Sequence, residues 1–210
     1  MLTAQTMSTV GVESGGEVSP AAAACGVLNL GCGRKYVEGA VNLDVTRATA
    51  PDVLHDLNVR PWPLPDDCFG EVLAYDVIEH LEDVLRTFEE IHRVCRDGAL
   101  VRITVPHFSS ANAYGDPTHR HFFGYFTLDP LTAEDERSFY TRARFRVRHR
   151  QIIFHPTLVN KIVWRLANRY PALYERRWAW LFPAFFMSFE LEVVKDGRGD
   201  KDGRKDASAR

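Results

Sequence analysis

An open α/β sheet is the fold class this sequence predicts, on three observations. The apolar run Val27-Leu28-Asn29-Leu30 ends in Gly31-Cys32-Gly33, and a second run, Val41-Asn42-Leu43, ends in the carboxylate of Asp44. Further along, a segment of helical period, Leu81 to Val94, leads into a segment that reads as a buried strand, Ala99 to Val105. Two adjacent strands ending in a glycine turn and an acid suit a nucleotide-like ligand across their carboxyl ends. Glycine is expected there because a side chain would block close approach of the ligand, and Asp44 would accept from two ribose hydroxyls.

Length narrows the ligand. Only Arg34 to Ala40 separate the turn from the second run, whereas a helical crossover between parallel strands needs at least ~10 to 12 residues. The glycine-flanked helix is therefore missing or cut to about one turn. A dinucleotide needs that helix for its pyrophosphate, and its ribose acid lies ~20 residues beyond the glycines. A ligand with ribose and adenine but no phosphate, such as S-adenosylmethionine, does not.

At 210 residues with 45% hydrophobic content, the chain is long enough for one well-buried domain. Residues 1–25, rich in Ala, Ser, Thr and Gly, have neither the basic start nor the apolar core of a signal peptide and read as a disordered tail. Residues 26–195 form the domain, and 196–210, alternating acids, bases and glycines, a disordered charged tail. Twenty-six basic against 28 acidic residues give no overall field toward nucleic acid or membrane. Cys25, Cys32, Cys68 and Cys95 have no C-x-x-C spacing, so neither a disulfide framework nor a zinc site is expected, and a cytoplasmic location fits. No apolar run approaches the ~18 residues of a membrane span.

Beyond Asp44, Pro51 to Leu57 is strand-like and places Asp56 on the same sheet edge, where it would reach an adenine amino group; the alternative is a solvated turn acid. Trp62 to Phe69 is a proline-stiffened loop, and Glu71 to Asp76 is the central fourth strand. Taken together, LNLGCG, NLD, HDL, PLPDDCFGEVLAYDVIEHLED and LRTFEEIHRVCRDGALVRITVP resemble class I S-adenosylmethionine-dependent methyltransferases, in particular a compact type-11-like group with a shortened first crossover. The resemblance spans about Val27 to Pro106 and implies a single-domain Rossmann-like sheet of about seven strands, mostly parallel, with an antiparallel C-terminal strand. It also implies S-adenosyl-L-methionine as cofactor, with Gly31 and Gly33 at its turn, Asp44 on the ribose, Asp56 on the adenine and Asp76 beside the methionine moiety. Asn29, Cys32 and Leu57 join them as candidate cofactor contacts, and His80 would touch cofactor or substrate or else bond only to backbone. Two departures stand out: Asn29 replaces a common acid, and Lys35 takes the place of a possible third glycine.

Ile78 to Asp83 opens a helix with Leu81, Val84, Leu85, Phe88, Ile91 and Val94 on one face, closed by Gly98. After Pro106 comes a long polar, aromatic, histidine-rich segment, His107 to Phe123, at the carboxyl end of a strand, where open sheets place substrates. A methyl acceptor that starts protonated needs a base, which His119 or His121 would supply with Asp116 as orienter. Those histidines also suit satisfying buried carbonyls. No helix fixes their spacing, so no metal centre is assigned.

Thr132-Ala133-Glu134-Asp135 predicts a capped helix running towards Tyr140. In Arg142 to Arg150 five arginines alternate with apolar residues and would share one face of a strand, as a phosphate-binding stripe or as partner of the acidic strand Phe185 to Val193. Thr157 to Tyr170 predicts an amphipathic helix, with Leu158, Val159, Ile162, Val163 and Leu166 apolar and Lys161, Arg165 and Arg169 basic. With the aromatic residues up to Phe182 it would pack over the sheet or a second subunit, or else make peripheral membrane contact. The expected activity is methyl transfer to oxygen or nitrogen of a small-molecule or glycan-like acceptor. The alternatives are a non-catalytic cofactor-binding or partner-binding paralogue, and an RNA methyltransferase using Arg142 to Arg150.

Overall fold

A computed structural model describes residues 25–195, so the two tails expected at 1–25 and 196–210 lie outside the described residues apart from Cys25. The strands are β1 (Val27–Leu30), β2 (Ala40–Asp44), β3 (Val53–Leu54), β4 (Phe69–Tyr75), β5 (Cys95–Pro106), β6 (Arg144–Ile153) and β7 (Phe186–Val194). They form one sheet in the order β3-β2-β1-β4-β5-β7-β6, and β7 runs antiparallel to both of its neighbours. The seven strands and the antiparallel C-terminal strand are as expected. β2 is buried along its whole length and β1 nearly so, which is why both read as apolar runs apart from Asn29 and Asn42.

No helix crosses from β1 to β2; hydrogen bonds hold the loop instead. Asn42, fully buried, accepts from Asn29 Nδ2 (2.9 Å) and Val37 N (2.9 Å) and donates to Val37 O (2.9 Å) and Asp52 Oδ2 (3.0 Å). Asp52 also accepts from Asn42 N (2.8 Å) and the Tyr36 hydroxyl (2.9 Å). Burial raises the Asp52 carboxyl, but these donors outweigh it and hold the group below its usual range. They hold a segment too short for a crossover helix against β2.

Several expected elements differ. The helix after β4 begins at Val84, not Ile78: Ile78–His80 is a single 3-10 turn, Leu81 is extended, and Asp83 caps α1 (Val84–Val94) by accepting from Arg86 N (3.0 Å). Gly98 does not close that helix. Cys95 is already extended and β5 follows at once, with Gly98 (φ +75°) inside β5 where the register to β4 shifts between Phe69 and Glu71. The segment read as a third strand from Pro51 to Leu57 shrinks to Val53–Leu54, and the helix expected after Thr132 is only a 3-10 turn, Ser138–Tyr140, because the Thr132 hydroxyl donates backward to Asp129 O (2.8 Å). Cys25 and Cys68 are joined as a disulfide, Cα to Cα 5.0 Å, which the spacing did not suggest.

The β6–β7 pairing is present, with Arg146 opposite Glu192 and His149 opposite Glu190. A bulge between Val147 and His149 shifts the register, so the arginines do not share one face. Arg146 and Arg148 both reach Glu192, whereas Arg150 comes opposite Phe189 and pairs with Asp129 (2.6 Å). The stripe is broken, and these arginines are committed to acids of the same chain. A short α2 (Ala111–Gly115) lies in the loop after β5. α3 (Leu158–Arg169) and α4 (Pro171–Arg177) lie between β6 and β7. α3 meets the sheet through Asn168, which bonds both N and O of Ile152, and buried Ala167, leaving Leu158 (82%), Ile162 (67%) and Leu166 (58%) exposed. Of the apolar face expected to cover the sheet, Val163 packs against the core while Leu158, Ile162 and Leu166 do not. Among the described residues no helix is long and apolar enough to cross a membrane.

Candidate active site at the carboxyl edge of the sheet

The chain passes from β1 outward through β2 to β3, then returns to the other side of β1 as β4. That reversal makes a switch point, and in open α/β sheets the crevice outside the carboxyl ends of the strands at such a point, here β1 and β4, is where ligands bind. Gly31 and Gly33 follow β1 with φ of +56° and +48°, a left-handed pair that side chains resist. The reason for Gly31 differs from the expected one. A Cβ there would lie 2.4 Å from Val77 Cγ2, so the space is taken by the protein's own β4 exit rather than kept for a ligand. At Gly33 a Cβ would meet only Gly31 O, at 3.9 Å, so the turn is open at its second glycine.

Asp44, buried at the end of β2, accepts from Gly33 N through Oδ2 (2.8 Å) and from Thr46 N through Oδ1 (2.9 Å). Each bond uses one lone pair and leaves each oxygen another, so the carboxylate is oriented and still able to accept two hydroxyls. Its own carbonyl accepts from His55 N (2.9 Å), bringing the segment with Asp56 beside it. Asp56 Oδ1 accepts from Asn58 N (2.9 Å) and Nδ2 (3.0 Å), an Asx turn. Leu57 is buried and its carbonyl accepts from Trp62 Nε1 (3.1 Å). Cys32 is buried, donates its N–H to Leu43 O (3.1 Å), and has a thiol pushed up by burial and then by Asp44. Asn29 donates to Lys35 O (2.8 Å) and Asn42 Oδ1 (2.9 Å), two acceptors that a carboxylate at this position would repel. That is the physical reason an amide replaces the common acid, and it turns Asn29 toward the loop.

Asp76 closes β4 at φ +57°, and its carboxylate pairs with Lys35 Nζ (2.8 Å) from the other side of the crevice. Beyond it, Glu79 has 1% of its surface exposed and neither carboxylate oxygen has a hydrogen-bond partner; burial, with a smaller contribution from Asp76, pushes it up to about 7. The Glu79 carbonyl instead holds the histidine-rich loop, accepting from Arg120 N (2.8 Å) and His121 N (3.3 Å). His80 and His119 meet edge to face with ring centroids 4.6 Å apart. Burial, and then His119, lowers the pKa of His80.

Hydrogen bonds fix both rings. Asp116 Oδ1 accepts from Thr118 N (2.8 Å) and Oγ1 (2.6 Å), and these bonds hold its carboxyl below the usual range. The Thr118 hydroxyl proton is thereby committed, so the 2.8 Å contact to His80 Nδ1 has the ring N–H as donor. His119 Nδ1 lies 3.2 Å from Ala113 O, which can only accept. Nδ1 carries the proton in both neutral rings, and both Nε2 atoms keep their lone pairs. Asp116 thus orients His80 through Thr118 rather than His119 or His121, and His121 Nε2 is buried without a partner. Thr118 is what sequence reasoning passed over; Glu79 stood beside His80 as a group that could touch cofactor or substrate but was not placed among the site residues, and its signal was a carboxylate inside the apolar Val77-Ile78-Glu79-His80-Leu81.

The family model for a methyltransferase domain matches residues 14–103. No curated protein matches the chain. Among solved structures, an S-adenosylmethionine-dependent methyltransferase from Archaeoglobus fulgidus superposes with a TM-score of 0.54 at 19% identity, covering 82% of this chain and 88% of the other. The YcgJ protein of Bacillus subtilis gives 0.53 at 13% identity over 84% and 97% of the two chains. The [4+2]-cyclase SpnF gives 0.51 at 17% identity over 84% and 80%. The same architecture therefore carries more than one chemistry.

Proposed function

We propose that this chain, which carries a class I S-adenosylmethionine-dependent methyltransferase domain and uses S-adenosyl-L-methionine, methylates an oxygen or nitrogen of a small-molecule or carbohydrate-like acceptor, with a hydroxyl oxygen favoured. The observation that carries this reading is the grouping of acceptor atoms of Glu79, His80 and His119 beyond the exit of β4, on the same sheet edge as the oriented acid at Asp44 that ends β2. When bound, S-adenosylmethionine supplies a methyl on a cationic sulfur, which an acceptor lone pair displaces.

The residues fit adenosine without phosphate. Asp44 offers two lone pairs to ribose hydroxyls, the turn is open at Gly33, and the β1–β2 crossover has no helix N-terminus for a pyrophosphate. Asp56 and Leu57 border the adenine side and Asp76 the amino-acid side. On the acceptor side, Glu79, His80 and His119 hold the hydroxyl and take its proton, which an amine acceptor would not require. Asp116 fixes His80 through Thr118. The paired arginines of β6 argue against the RNA reading. The exposed aromatic and basic region 157–182 is a peripheral membrane contact that brings the enzyme near its acceptor.

Incubation with S-adenosylmethionine and a cell extract should yield S-adenosylhomocysteine. Cofactor binding without any turnover across extracts would favour the non-catalytic paralogue instead.

A further inference from the structure

We propose that Glu79, His80 and His119 form a binding site for a divalent first-row metal ion of the zinc, cobalt or manganese kind. One ligating atom from each of the three lies within 4.8 Å of the other two. Three protein donors around an ion at ~2.0 to 2.2 Å stand roughly 3.3 Å apart, so closure asks for side-chain rotations on the order of 1 Å.

Three features mark these donors as ligands rather than neighbours. The first is the Glu79 carboxylate, almost wholly buried with both oxygens unpartnered, a costly arrangement that a cation would offset. The second is the pair of imidazoles, each donating its Nδ1–H to an outside acceptor, Thr118 Oγ1 or Ala113 O, which leaves a lone pair on Nε2. Metal-binding histidines are oriented in this way by outer partners that fix the tautomer. The third is the Asp116–Thr118–His80 chain, which places a carboxylate behind one ligand without spending it on the ion. Two imidazoles and one carboxylate suit borderline ions over magnesium or calcium, and a set of three leaves coordination positions open.

Sequence spacing did not suggest this group, because its members come from two segments that meet only in the fold, the turn after β4 and the loop after β5. With the ion bound these three side chains are ligands and no longer take the acceptor's proton themselves: a hydroxyl in an open position has its pKa lowered, and its proton leaves to solvent water. That use rests on the acceptor reading above, whereas the binding itself does not.

The test uses untagged, chelator-stripped protein with no cofactor or acceptor present, titrated with Co2+ while the visible absorption is followed. A band saturating at one equivalent is expected in the native protein. His119→Ala, whose side chain is only part-buried, should lose it, and Thr118→Val should weaken binding about 10- to 100-fold by freeing the His80 ring. Glu79→Gln should also lose the band, and if that buried variant does not fold, the other two decide. No saturable band in the native protein, or equal titrations for native, His119→Ala and Thr118→Val, would overturn the site. Binding without methyl transfer would sink the acceptor reading alone.

Discussion

Lys35 Nζ lies 2.8 Å from Asp76 Oδ2, so an ion pair spans the crevice between the exit of β1 and the exit of β4. Both side chains are substantially exposed, and such a pair contributes only ~0.2 to 1 kcal/mol to stability. Its effect falls on binding instead. A cationic ligand that approaches Asp76 must displace the Lys35 ammonium, so Lys35→Ala is expected to tighten S-adenosylhomocysteine binding about fivefold in calorimetry while thermal stability barely moves. Weaker binding would instead make Lys35 a ligand for the carboxylate of the amino-acid moiety. Asp76→Asn is the matching variant, because asparagine tolerates the φ of +57° and removes only the charge.

On the proposed reading, Asp44 is the residue that binds the cofactor's ribose. Asp44→Ala removes the acceptor for Gly33 N and for Thr46 N together with the ribose acid, so S-adenosylhomocysteine titration should give clear heat with native protein and strongly weakened heat with the variant. Asp44→Asn keeps one acceptor oxygen for the turn and separates folding from binding: a native-like melting curve with binding weakened at least about tenfold is expected. Unchanged affinity in both variants would move the ribose away from β2.

The loop that replaces the first crossover predicts an acid-sensitive stability. The Asp52 carboxyl is raised by burial but lowered more by bonds from Asn42 and Tyr36, so its folded pKa lies below its unfolded value. The stability it contributes is therefore complete above the ordinary carboxylate range near ~3.9 and is lost as pH falls through the lower folded value. Urea midpoints measured from pH 7 downward should fall more steeply below about pH 4 in native protein than in Asp52→Asn. Asn29→Asp tests the same network at neutral pH. It sets a buried carboxylate against Lys35 O and Asn42 Oδ1, and a loss of about 2 to 4 kcal/mol is expected. If Asn29→Asp proves as stable as native, the amide is not what holds this loop.

Sheet strands were legible where burial on both faces left a largely apolar run, as in β1 and β2, or where buried apolar residues alternate, as in the second half of β5, and the short spacer before Val41 correctly excluded a full crossover helix. What sequence pattern misplaced were boundaries set by local hydrogen bonds. Helical period around Leu81 could not reveal that Ile78–His80 would wind as a 3-10 turn, nor Gly98 that the helix had already ended. The arginine alternation was real, but a bulge at Val147 reversed its parity. The donors of the site were half legible: His80 and His119 were picked out separately, while Glu79, which supplies the unpartnered carboxylate beside them, acquires its meaning only when the loop after β5 folds over it.

Exposed apolar side chains on and after α3 predict surface binding. Leu158, Ile162, Trp180 and Leu181 are 82%, 67%, 67% and 64% exposed, and Lys161, Arg165, Arg169, Arg176 and Arg177 add positive charge to the same region. Apolar insertion and attraction to anionic headgroups act together on such a surface, at ~1 kcal/mol per basic residue near the membrane, and salt screens the second. The protein should therefore sediment with vesicles containing anionic phosphatidylserine, less so with neutral phosphatidylcholine, and binding should fall as salt rises. Ile162→Glu with Leu181→Glu should abolish sedimentation and leave S-adenosylhomocysteine affinity unchanged, because both residues lie in the β6–β7 connection rather than at the crevice beside β1. Vesicle binding that survives both substitutions would refute this region as the contact, and a concentration-dependent dimer that the same substitutions dissolve would identify a second subunit as what covers it.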